Sequence, residues 1–208
     1  MIVFSVLLAL VLEDWRQNRQ EGEVLESVML SLRAELERNQ RVLEAMLPYH
    51  EAMRDTFQVR VTAVGTQAGV ASERALAVEL EPLERLGFQE RLGTEASLAN
   101  GAWEAARASG ALSRIGTDEL FLLSGAYTTQ ERLDRALQRL LDKHDRYAVA
   151  VVEREASAAA LIDFTSGLTE VTSREQELCA SYRTLVRRLT GVELQASPRC
   201  GSGNVTIR

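Results

Sequence analysis

The sequence predicts an all-α protein: a long N-terminal helix, emerging from a membrane, packed with an antiparallel helical bundle. Ala, Leu, Glu and Arg, the residues that lose least free energy in a helix, dominate the chain. Only three prolines interrupt its 208 residues. Apolar residues recur at alternating three- and four-residue steps over long stretches, and no stretch shows the period of two that a half-buried strand requires. With 46% hydrophobic and 26% charged residues, the chain has apolar material for one compact domain and an appendage. Its 24 basic and 30 acidic residues leave a net charge of −6 with no strong basic cluster, which argues against a nucleic-acid surface.

The first element, residues 1–15, reads as a truncated transmembrane anchor. Its apolar run from Ile2 to Leu12 passes without a turn into Glu13-Asp14-Trp15-Arg16-Gln17-Asn18-Arg19-Gln20, which is how a membrane helix leaves the bilayer. No Lys or Arg precedes the run and no small-x-small site follows it before Glu13, so it does not read as a cleaved signal peptide. A spanning helix needs about 20 apolar residues, and this run falls short. The alternative to a truncated span is an interfacial helix or a helix end packed in a soluble core. Trp15 with Arg16 and Arg19 forms the aromatic and basic collar of a membrane edge, which favours the anchor.

Residues 16–192 read as the bundle domain. Leu25, Met29, Leu32, Leu36, Leu43 and Met46 form a heptad seam with Asn39 in its one polar position. The seam pairs with helices of the same chain or with a second copy, and both readings are open at this point. Glu26, Arg33, Glu35, Glu37, Arg38, Arg41 and Glu44 fall on the other faces, where a solvated surface with local ion pairs is expected. Pro48 marks an expected break, because a proline inside a helix loses a hydrogen bond and clashes with the preceding turn. A second helical piece from Tyr49 to about Val64 carries Met53, Phe57 and Val61 at four-residue spacing.

Gly65 to Ser72 reads as a loop, and Glu73 to Leu92, with Pro82 and Gly87, as two brief helices. The Ala-rich stretch around Trp103 is expected to be helical, with Gly110 as its left-handed C-terminal cap. Thr117 is placed to N-cap a long helix, with Asp118 and Glu119 in its first turn at the positive end of the dipole. Its face comprises Leu123, Ala126, Gln130, Leu133, Leu137, Leu140, His144, Tyr147 and Val151, with Ala158 and Leu161 extending it. A final helix, capped by Thr172 or Ser173 and closed by Gly191, carries Leu178, Tyr182, Leu185 and Leu189. Residues 193–208 read as a loose or disulfide-pinned tail.

The candidate chemistry is sparse. Cys179 and Cys200 are too few for a zinc site and form no C-x-x-C pair. They either form a disulfide in an oxidising compartment or leave Cys179 as a small buried apolar residue. His144 falls on the apolar face of its helix, where a packed, hydrogen-bonded histidine is expected rather than a catalytic one, and His50 completes the histidines. Arg183, Arg187 and Arg188 form a basic face, read as solvated. Aromatic residues make up only 5% of the chain, so Trp103 and Tyr127 stand out, as core residues or as the walls of a pocket. No Gly-rich phosphate loop, H-E-x-x-H or G-x-S-x-G occurs. No catalytic residue, cofactor or metal is therefore assigned.

Two segments together resemble a family of uncharacterised bacterial single-pass inner-membrane proteins. One is the anchor end Leu8-Ala9-Leu10-Val11-Leu12-Glu13-Asp14-Trp15-Arg16-Gln17-Asn18-Arg19. The other is Ala102-Trp103-Glu104-Ala105-Ala106-Arg107-Ala108-Ser109-Gly110-Ala111-Leu112, similar to that family's internal W-x5-S-G motif, with Tyr127 downstream. The resemblance covers about a fifth of the chain. It implies a single N-terminal anchor whose upstream half is missing here, basic residues before it, and a domain on the periplasmic side; it implies no activity. Arg16 and Arg19 pull the other way by the positive-inside tendency. The function expected is a membrane-anchored, non-enzymatic interaction or assembly protein of the bacterial envelope, held to the membrane by its first helix and partnered by protein or by itself. The alternative is a ligand-sensing bundle with a pocket near Trp103 and Tyr127.

Overall fold

The computed structural model describes residues 2–66, 98–152 and 158–190, with side chains over 12–62, 98–150 and 158–189. The described helices are α1 (Ile2–Thr66), α2 (Gly101–Ala108), α3 (Thr117–Val152) and α4 (Ala158–Thr190), with a short 3-10 turn at Ala111–Arg114 between α2 and α3. Among the described residues there is no strand, and the all-α expectation holds.

The first helix is continuous for 65 residues, about 97 Å at the usual rise. The break expected at Pro48 does not occur, and the piece from Tyr49 onward is the same helix. Met46, Leu47, His50 and Met53 on either side of Pro48 are all buried, so tertiary packing outweighs the missing backbone hydrogen bond. Gly65 and Thr66 end α1. The rest of the expected loop, the two helices of Glu73 to Leu92, Gly191 and the tail 193–208 lie outside the described residues.

Side-chain pairs fix the topology. Asn39 with Tyr182, His50 with Glu175 and Glu51 with Gln176 set α1 antiparallel to α4. Gln130 with Tyr182 and Arg139 with Glu170 set α4 antiparallel to α3. Helices α1 and α3 therefore run parallel, as Glu35 with Tyr127 and Phe57 with Tyr147 confirm. The sequence reading had every partner antiparallel to the first helix. That fails for α3 because the chain leaves α1 at Thr66 yet lies beside Asn39 again at Ala99, some 40 Å back along the helix.

The helix boundaries shift in two places. Ala158 and Leu161 belong to α4 rather than to the helix before it. Thr172 and Ser173 lie inside α4, and the Thr172 hydroxyl donates to the carbonyls of Leu168 and Thr169 instead of capping a helix start. At the start of α3 the Gly116 carbonyl accepts the first helical bond, from the Leu120 N–H, one residue before the expected cap at Thr117. Gly110 takes the left-handed conformation, φ 72°, as its place after α2 requires. Asp118 and Glu119 in the first turn of α3 meet Arg188 in the last turn of α4, so each charge also faces the favourable end of its own helix dipole.

The core follows the sequence pattern closely. Leu123, Ala126, Gln130, Leu133, Leu137, Leu140, His144 and Tyr147 are all buried on one face of α3; the side chain of Val151 is outside the described set. Leu178, Tyr182 and Leu185 are buried on α4, with Leu189 packed against them. Phe57, Tyr147 and Phe164 pack edge-on and stacked at one end of the bundle, with His144 tilted against Phe164. On the rim, burial pushes the Glu170 carboxyl up, but Arg139 and Arg174 outweigh it and hold that group below the usual carboxylate range.

The heptad seam resolves in favour of the same chain. Leu32, Leu36, Asn39, Leu43 and Met46 are buried in this bundle, and Leu25 and Met29 are half-buried at its lower edge. Below them α1 leaves the bundle, and residues 12–20 are all exposed. Here Gln17 to Glu21 and Arg19 to Glu23 pair at four-residue spacing, and Arg114 reaches Glu21 from the 3-10 turn. Among the described residues no helix is long and apolar enough to cross a membrane.

Candidate functional site

The densest polar arrangement in the bundle lies where α1, α3 and α4 meet the segment Leu98–Trp103. Three side chains reach this segment's backbone. The Asn39 side chain pairs with a single residue from both sides: its Nδ2 donates to the Ala99 carbonyl at 2.7 Å, and its Oδ1 accepts the Ala99 N–H at 2.8 Å. Gln130 Nε2 donates to the carbonyls of Leu98 and Ala99, each at 3.2 Å. Gln130 Oε1 in turn accepts the Tyr182 hydroxyl, which extends the network onto α4.

Glu35 completes the set. Its Oε2 accepts the Ala102 N–H at 2.8 Å, and its Oε1 accepts the Trp103 N–H at 3.4 Å and the Tyr127 hydroxyl at 2.6 Å. The first N–H groups of a helix have no partner within it, and Asn100 at the start of α2 makes no side-chain cap bond. A carboxylate from a different helix does that work. Its negative charge also sits against the positive end of α2.

Trp103 and Tyr127 do come together, as the sequence suggested. Their rings stack at 4.7 Å between centroids and 9° between planes, and both residues are buried. The faces turned toward each other are filled by this contact. Of the residues singled out in sequence, the structure thus joins Trp103, Tyr127 and Asn39 in one cluster. It places Cys179 and His144 elsewhere in the core, His144 with its Nδ1 3.1 Å from an Asp145 carboxylate oxygen.

Sequence reading placed Glu35 on the solvated face, and it is buried. The signal was present: Glu35 lies three residues after Leu32 and next to Leu36, on the flank of the apolar seam, where a long side chain reaches a neighbouring helix. Glu175 was not singled out, and His50 was only counted. These two form a buried pair between α1 and α4, with Nδ1 to Oε1 at 2.6 Å and 0% and 2% side-chain exposure. Among the described residues, the His50 Nε2 and the Glu175 Oε2 have no hydrogen-bond partner.

Burial pushes both Tyr127 and Tyr182 above the ordinary phenol range. For Tyr127 the hydrogen bond and charge of Glu35 add to the rise; for Tyr182 the bond from Asn39 opposes it, while the charges of Asp134 and Glu35 add to it. The unfolded chain releases these protons near pH 10, whereas the folded chain keeps them. Stability from this source is therefore intact below about pH 10 and is lost as pH rises beyond it, by about 1.4 kcal/mol per pH unit per tyrosine. Urea titrations between pH 8 and 11.5 should show this decline, and Tyr182→Phe should remove about one proton's worth of the slope. An unchanged slope in the variant would show that Tyr182 is not protected.

Cys179 is fully buried and disulfide-bonded. The chain's other cysteine, Cys200, lies outside the described residues. Among the described residues no group of three or more His, Cys, Asp or Glu is placed to hold a metal. The chain matches no protein-family model, no curated protein and no solved structure. The likeness of its two short segments to single-pass bacterial membrane proteins accordingly rests on those segments alone.

Proposed function

We propose that this protein is a membrane-tethered, non-enzymatic helical interaction module, in which α1 is both the tether and the central support of the bundle. The observation that carries the reading is the division of α1. From Leu32 onward it is core, while residues 12–20 are exposed on every side. A helix stretch that is exposed on every face and stands clear of its domain acts as a spacer. This exposed stretch, Leu12 to Gln20, covers about 13 Å.

Three features support a bilayer at the far end of this spacer. The run Ile2 to Leu12 is apolar, and lying in the interface or joining a longer span would both bury it. Trp15 follows it, with the Arg19 guanidinium 5.9 Å from the indole centroid, an arrangement suited to the headgroup layer. Cys179 is disulfide-bonded, which favours a bundle facing an oxidising compartment such as the periplasm.

Vesicle flotation of the full chain tests the tether. The unaltered protein is expected to float with phospholipid vesicles, and the double variant Leu7→Asp, Leu8→Asp to stay at the bottom of the gradient with an unchanged helical circular dichroism signal. If both proteins behave alike, α1 does not tether the domain.

A further inference from the structure

The segment Leu98–Trp103 is held through its main chain by side chains from two other helices. Asn39 takes both the N–H and the C=O of one residue, Gln130 takes two successive carbonyls, and Glu35 takes two successive N–H groups. All three side chains are buried. They recognise main chain, and they belong to α1 and α3, outside the segment they hold. Only two side chains of the segment enter the core, Leu98 and Trp103, the second stacked on Tyr127.

We propose that Glu35, Asn39, Tyr127 and Gln130 form a peptide-recognition site, occupied here by the chain's own Leu98–Trp103. Its ligand is a short peptide with a non-helical Leu-Ala-Asn start and a first helical turn that carries a tryptophan. Main-chain bonds give the site its grip, and the leucine and tryptophan positions give it selectivity. Without an occupant, Asn39 Oδ1, Gln130 Nε2 and Glu35 Oε2 would lose the partners that the segment supplies to them in the core, so the bundle favours a filled site. The own segment fills it at the high effective concentration of a tethered ligand, which keeps competing peptides out until the segment is weakened. This inference deepens the interaction reading, by naming the chemistry of a partner, and does not depend on the membrane tether.

The test uses a fluorescein-labelled peptide of sequence LANGAWEAARA, matching Leu98 to Ala108, with the full chain and with Trp103→Ala. Loss of the stacked ring weakens the tethered segment, so fluorescence anisotropy should show at least about tenfold tighter binding to Trp103→Ala than to the unaltered protein. The same peptide N-methylated at its first alanine lacks the donor to Asn39 and should not bind. Trp103→Phe, which keeps an aromatic ring, serves if the alanine variant loses its helical signal, with a smaller gain expected. No binding to a folded variant, or equal binding of the N-methylated peptide, overturns the proposal. Flotation with vesicles is unaffected by either result, so failure here and failure of the tether are separable.

Discussion

Glu35→Ala is expected to destabilise the bundle by about 3 kcal/mol or more, a fall in midpoint temperature of roughly 6–12 °C for a chain of this size. The carboxylate accepts three hydrogen bonds, from the Ala102 and Trp103 N–H groups and from the Tyr127 hydroxyl, in a buried position. Alanine strands all three donors. A charged acceptor makes each bond worth more than a neutral one, and a stranded buried donor keeps its full desolvation penalty. Glu35→Gln should fall between, because an amide keeps one acceptor and presents an NH2 where only donors converge. Thermal melts followed by circular dichroism separate the cases. A loss below about 1 kcal/mol in Glu35→Ala would place the cap's contribution at the level of a surface contact.

The second large effect is expected at His50 and Glu175. Each single change, His50→Leu or Glu175→Leu, should cost about 3–5 kcal/mol, because it leaves the other polar group buried without its only described hydrogen-bonding partner. The double variant should recover most of that loss, since two packed leucines carry no desolvation penalty. A double-mutant cycle in urea therefore predicts strong coupling, with the double variant within about 2 kcal/mol of the unaltered protein. Additive losses would show that the two residues stabilise the bundle separately. The unpartnered Nε2 and Oε2 atoms are the reason recovery is expected: the pair is imperfectly satisfied even when intact.

The helical periodicity of α3 was legible from Leu123 to Tyr147, where its buried face repeats at four-three spacing, but its end was not, since Ala158 and Leu161 belong to the next helix. The seam of α1 was legible too, but its partner was not, since a heptad face looks the same whether the same chain or a second copy covers it. Pro48 misled because local backbone cost was weighed without the buried residues that flank it. Thr172 misled for a related reason: a threonine hydroxyl satisfied by its own helix carries the same letters as one that caps. Of the polar cluster, Trp103, Tyr127 and Asn39 stood out one at a time. Glu35 and Gln130 gained meaning only when residues nearly seventy positions from Glu35, and about thirty from Gln130, were brought to them.

By itself the sequence determined the class of the fold, most of the buried helix faces and the apolar head of α1, because composition and periodicity act locally along the chain. Only the tertiary structure decided that α1 and α3 run parallel, that α1 continues through its proline, and that Glu35 caps a helix in a different part of the chain. Those outcomes depend on which surfaces meet. The free energy of burying a face, or of leaving a carboxylate unpaired, is set by the neighbour across the interface and not by the residues beside it in sequence.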